Sequence, residues 1–114
     1  MIKPGSNIAL KVPLYRWDET VAFYRDKVGL EVVKRTDDTV AFRFGEMVLW
    51  VDRVVRQSQL DVWLELRTDD AASALDHLGS PQRDELEPLG DVKGHWTSDP
   101  AGVVLLISET DAAS

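Results

Sequence analysis

The 114-residue chain has no cysteine, which excludes disulfides, thiolate zinc sites and redox chemistry at sulfur. It has no apolar run near the roughly 18 residues that a membrane-spanning helix needs. Its N-terminus lacks the pattern of a signal peptide, and a soluble, cytoplasmic protein is expected. Phosphate-cradling glycine loops and dinucleotide fingerprints are missing, as are an assignable Ser-His-Asp spacing and a histidine pair at helical spacing. Basic charge is scarce: 13 Lys and Arg stand against 20 Asp and Glu, a formal charge of −7. That balance opposes nucleic acid and anionic membranes as partners and mildly favours cationic ligands. What is present is an ordinary globular apolar fraction of 44%, in a length that fits one domain.

The most legible stretch is residues 23–33. Trp17, Val21, Tyr24 and Val28 precede or open it at helical spacing and define one apolar face, with Asp18 or Thr20 available as a cap. Gly29 can take the left-handed conformation that ends many helices, and the β-branched residues after it prefer an extended chain. Upstream, residues 1–7 read as a lead-in. Ile8, Leu10 and Val12 then alternate with Asn7, Ala9 and Lys11 as a strand with one buried face. Downstream, strands are expected at 30–35, 40–44 and 47–51, separated by turns at Asp37-Asp38 and Gly45-Glu46.

After a polar connection at 52–59 the order repeats. Residues 59–67 alternate as a strand, Thr68-Asp69-Asp70 offers a cap, and Ala71, Leu75 and Leu78 share a helical face that Gly79 ends. Strands are expected at 83–89, 92–98 and 103–108, the last two joined by a turn at Asp99-Pro100-Ala101-Gly102. Residues 110–114 read as a frayed polar tail. The pattern is β-α-β-β-β twice at a period of roughly fifty residues, with one module over about 6–52 and the other over about 59–109.

Two stretches carry a family resemblance. Phe-Tyr-Arg-Asp-Lys-Val-Gly-Leu-Glu-Val-Val at 23–33 and Asp-Pro-Ala-Gly-Val-Val-Leu-Leu-Ile at 99–107 resemble the helix-to-strand signature and the last turn and strand of the vicinal oxygen chelate superfamily. That superfamily includes glyoxalase I, extradiol dioxygenases and bleomycin-resistance proteins. The resemblance implies an α+β fold in which two βαβββ modules form a cup-shaped, partly open mixed sheet with helices outside. It also implies a ligand site inside the cup and a homodimer. The family's metal enzymes draw ligands from the first, fourth, fifth and last strands, positions that correspond here to Asn7, Trp50, Trp63 and Leu106. Indole and aliphatic side chains offer no lone pair to a divalent metal, so the resemblance implies the fold without the metal chemistry. No cofactor is expected, and the character is closest to the metal-free, bleomycin-resistance-like branch.

The expected cup wall holds Trp50 and Trp63, with Lys11, Asp52, Asp61 and Glu65 nearby. A tryptophan offers a flat apolar surface for a conjugated ligand, attracts cations to its face, and can equally fill a core or a dimer interface. Arg43 alternates away from Val40, Phe42 and Phe44, either toward an anion or toward solvent. His95 and Trp96 adjoin the last turn, and the sequence does not choose which faces the cup. Glu65 and His95 are the acid/base candidates, Glu65 having an ion pair with Lys11 or Arg43 as its alternative role. His77, beside Asp76, is expected to face solvent. A rearranged metal set of Asp52, Asp61, Glu65 and His95 is a further alternative.

The expected function is metal-independent sequestration of a small aromatic or cationic compound, with Asn7, Lys11, Arg43, Trp50, Asp52, Asp61, Trp63, Glu65, Trp96 and Leu106 as ligand-binding residues. The alternatives are a metal-independent enzyme using Glu65 or His95 on a small carbonyl-type substrate, and an interaction dimer whose own tryptophans close the cup.

Overall fold

A computed structural model describes residues 2–109; the expected tail at 110–114 lies outside the described residues, as does Met1. The fold is α+β, with seven strands and two α-helices among the described residues: β1 (Lys3–Pro13), α1 (Leu14–Ala22), β2 (Val32–Arg35), β3 (Thr39–Phe44), β4 (Met47–Val54), β5 (Asp61–Thr68), α2 (Ala71–Leu78), β6 (Gly94–Ser98) and β7 (Val104–Glu109). No helix among the described residues is long and apolar enough to cross a membrane. The chain divides into two compact units, Ser6–Trp63 and, among the described residues, 2–5 with 64–109.

In the unit Ser6–Trp63 the strand order is β2-β3-β4-β1. β1 runs parallel to β4, and the other two pairs are antiparallel. Alternation assigns the faces as the sequence suggests. Ile8, Leu10 and Val12 lie on the α1 side, where Val12, Val40, Phe42, Leu49 and Val51 close on Trp17 and Val21. The Trp17 indole N–H donates to the Val51 carbonyl at 3.0 Å, so the helix is bonded to the sheet as well as packed on it.

The helix starts earlier than expected. Pro13, extended at ψ 150°, stands at its N-cap and supplies no capping side chain. A residue before a helix needs extended ψ, and proline's fixed φ suits that position. Asp18 and Thr20 are therefore inside the helix, and Thr20 bonds back to the Arg16 carbonyl at 2.7 Å. The last turn, Phe23–Val28, widens into a π-helix before Gly29, which adopts φ 82°. A π turn takes up an extra residue, so the expected face loses register: Tyr24 still packs on the core, whereas Val28 is 50% exposed.

In the other unit β7 lies between β5 and β6, parallel to the first and antiparallel to the second. Asp70 caps α2, its carboxylate accepting the Ser73 N–H at 3.1 Å, and Gly79 ends the helix at φ 65°. The core is small: Ala71, Ala74 and Ile107, flanked by Ile2, Leu66 and Leu105. The expected helical face of Ala71, Leu75 and Leu78 is thus rotated, and Leu78 is 40% exposed. The N-terminal residues are not a mere lead-in: β1 begins at Lys3, a start obscured by the strand-averse Pro4 and Gly5.

Residues 83–89 form no strand. The segment runs along the edge of β6 instead, fastened mainly by side chains. The Arg83 N–H donates to the Trp96 carbonyl at 2.7 Å, while the Trp96 N–H donates to the Asp84 carboxylate at 2.8 Å. The Thr97 hydroxyl donates to the Pro81 carbonyl at 2.6 Å, and the Trp96 indole donates to the Glu87 carbonyl at 2.9 Å. Pro81 and Pro88 remove ladder donors, and Asp84 takes the backbone donor that a strand's carbonyl would have accepted.

Candidate functional site

In the unit Ser6–Trp63, strand register puts the predicted residues in rows on the face turned away from α1. Asn7 stands with Val48 and Arg43, Trp50 with Ala9 and Ala41, and Lys11 with Asp52 and Thr39. Trp50, whose direction the doubly apolar β4 sequence leaves open, therefore belongs to this face and not to the α1 core.

The tryptophans are held at both edges and faces. The Trp50 indole N–H donates to Asn7 Oδ1 at 2.7 Å, and the Trp63 indole N–H donates to Asp61 Oδ2 at 3.0 Å. Lys11 Nζ lies 4.2 Å from the centre of the Trp63 ring and 2.8 Å from Asp52 Oδ2. Lys11 is 4% exposed; a buried ammonium needs such partners, because its desolvation is otherwise prohibitive. Thr39 donates its hydroxyl to the other Asp52 oxygen. Lys34 Nζ lies 5.7 Å from the Trp50 ring centre. Sequence reasoning missed Lys34 and Thr39, although the alternation of β2 and β3 could have found both. Arg43 is exposed and makes no ion pair among the described residues.

In the other unit Glu65, Leu106 and Trp96 form one row, whereas His95 is paired with Ile107 on the α2 side. This settles which of His95 and Trp96 shares a face with Glu65. The Glu65 side chain, 8% exposed, accepts the Ser108 hydroxyl at 3.0 Å and lies 3.6 Å from Arg67. It rests against Gly5, where a Cβ would come within 2.4 Å of Glu65 Oε1. The absence of a side chain at Gly5 is what admits the carboxylate, a dependence between residues sixty apart that no local signal carries.

His95 Nδ1 lies 2.8 Å from Asp84 Oδ2. Burial pushes the Asp84 carboxyl up, but hydrogen bonds from His95, the Trp96 N–H and Gln82 outweigh it and hold the group below its usual value. His77 is exposed, as expected, and lines a cavity of about 510 Å³ with Asp70 and Ser73.

A metal, which the resemblance raises, does not fit these residues. The Asn7 oxygen is engaged by Trp50, both indoles are donors, and Leu106 has no donor atom. In the rearranged set, Asp52 is bound to Lys11, Asp61 to Trp63 and His95 to Asp84. No group of three or more His, Cys, Asp or Glu side chains among the described residues is placed to hold a metal ion.

No protein-family model matches the chain, and no curated protein matches it in sequence. Solved structures do match. A glyoxalase/bleomycin resistance protein/dioxygenase superfamily member from Vibrio splendidus 12B01 aligns over 90% of this chain and 97% of its own, with 12% identity and a TM-score of 0.62. A hypothetical protein from Bacillus halodurans C-125 aligns over 99% and 97%, with 11% identity and a TM-score of 0.67. The Mn(II)-bound glyoxalase from Novosphingobium aromaticivorans aligns over 98% of this chain at 19% identity and a TM-score of 0.69, but the chain spans only 42% of that protein. The chain therefore has the vicinal oxygen chelate fold, that of the glyoxalase/bleomycin resistance protein/dioxygenase superfamily.

Proposed function

We propose that the chain is a metal-independent small-molecule-binding protein that sequesters an aromatic compound against the tryptophan face of the unit Ser6–Trp63. The observation that carries this reading is that Trp50 and Trp63, which the family resemblance equates with metal-ligand positions, have their indole N–H groups tied to Asn7 and Asp61. Trp50, half-buried where Trp63 is 9% exposed, is already fixed in place and loses little freedom when a planar compound stacks on it, and reduced ordering cost raises affinity. Each stacked ring contributes about 0.5 to 1.5 kcal/mol beyond area burial.

The geometry favours the aromatic half of the expectation over the cationic half. Lys11 already lies on Trp63 and Lys34 stands over Trp50, so a cationic ligand would compete with, or be repelled by, the protein's own ammonium groups. The enzyme alternative would need Glu65 or His95 as acid or base; Glu65 is engaged by Ser108 and Arg67, and His95 lies on the α2 side, away from the face that carries Glu65 and Trp96. Stacking requires no such group.

Titration with a panel of planar aromatic compounds should quench tryptophan fluorescence saturably. Trp50→Leu should weaken the affinity of any ligand so found by about two- to tenfold, the range one stacking contact supplies. No quenching by any compound, or quenching unchanged in both Trp50→Leu and Trp63→Leu, would remove the site.

A further inference from the structure

A second set of groups lies in the unit of 64–109, on the α2 side of its sheet, and does not depend on the tryptophan reading. A cavity of about 360 Å³ is lined there by Ala72, Leu75, Asp76, Ser80, Gln82 and His95, among others. Asp84 is not part of the lining. It stands behind the imidazole, bonded to His95 Nδ1 at 2.8 Å, to the Gln82 amide at 2.7 Å and to the Trp96 N–H at 2.8 Å.

We propose that this cavity binds a small primary ammonium compound, with the Asp76 carboxylate and His95 Nε2 as acceptors and Ala72 and Leu75 against its alkyl chain. The tautomer follows from the bonding. An ionised carboxylate only accepts hydrogen bonds, so a neutral His95 must carry its proton on Nδ1, which leaves the Nε2 lone pair available. Asp76 makes no ion pair or side-chain hydrogen bond among the described residues. Arg83, next to Gln82 in the chain, pairs with Glu85 at 2.7 Å, and Lys93 lies 3.6 Å from Glu109. The cavity also adjoins the C-terminus of α2, where backbone carbonyls add partial negative charge; the Gly79 N–H bonds the carbonyls of Leu75 and Asp76 there.

An ammonium group, with three donors on one atom, suits separated acceptors of this kind. A metal ion would need a tighter donor set, and none is formed among the described residues. The two apolar lining residues select an alkylammonium over a bare ammonium ion.

The test is an NMR titration of the whole chain with n-butylammonium chloride, with sodium butyrate at matched ionic strength as control, at a pH above the ordinary histidine range. Saturable shifts of the His95 ring and the Leu75 methyl groups are expected with the amine and not with butyrate. Asp76→Asn, an exposed helix position, should weaken the amine about tenfold. Asp18→Asn, which removes the same charge from exposed α1, should leave it unchanged. Three results would each overturn the site: no saturable shift at His95 and Leu75, equal binding of butyrate, or equal weakening by the two aspartate variants, which would mean diffuse attraction to an acidic protein.

Discussion

Phe42→Ala is expected to lower the unfolding free energy by about 3 to 5 kcal/mol, as truncation of a fully enclosed aromatic ring does. Phe42 is wholly buried and sits in the cluster that joins Val12, Trp17, Val21, Leu49 and Val51. Its ring centre lies 6.2 Å from that of Tyr24, so removal also deprives the π-helical turn of the partner that keeps Tyr24 inward. The surroundings are sheet on one side and helix on the other, and neither collapses easily into the void. Urea unfolding followed by far-ultraviolet circular dichroism measures the change, and a loss below about 1 kcal/mol, the scale of a peripheral contact, would show that the ring does not anchor this core.

Ile107→Ala is expected to cost about 2 to 5 kcal/mol, and its consequence should be more local. Among the described residues Ile107 is the one large, fully buried side chain of a core to which the helix contributes buried Ala71 and Ala74. Small helix residues let α2 approach the sheet closely, and Ile107 is the buried side chain they close on, with Ile2, Leu66 and Leu105 around it. Amide hydrogen exchange should show α2 losing protection before β1, β3 and β4 do. Uniform loss of protection over both units would contradict the separate cores described above.

The parts of the fold readable in the sequence were those with local causes. Alternation assigned the faces of β1, β3 and β7, because one side of each strand must be apolar to meet a helix. Gly29 and Gly79 marked both helix ends, and Asp70 its cap. The sequence misled where a distant partner decides the outcome. Residues 83–89 contain enough apolar side chains to suggest a strand, but Asp84 claims the Trp96 N–H and the segment lies on β6 without a ladder. Val28 has helical spacing, yet the π turn carries it outward. Glu65 and Gly5 meet only in three dimensions.

The candidate site was legible by register and not by bonding. The positions of Asn7, Lys11, Trp50 and Asp52 on one face follow from period-two alternation together with the family resemblance. That Lys11 stacks on Trp63, fifty-two residues away, has no signature in either segment. The same holds for His95: nothing around it points to Asp84, because the side chain meets its partner across an irregular loop.

Metal independence is tested most directly by titrating tryptophan fluorescence with the tightest aromatic ligand, first on exhaustively chelated protein and then on the same protein supplied with Mn(II). Quenching with the same midpoint in both, and no stoichiometric metal in the purified protein, is the predicted result. Loss of binding on chelation, with recovery on adding Mn(II) or another divalent ion, would contradict it.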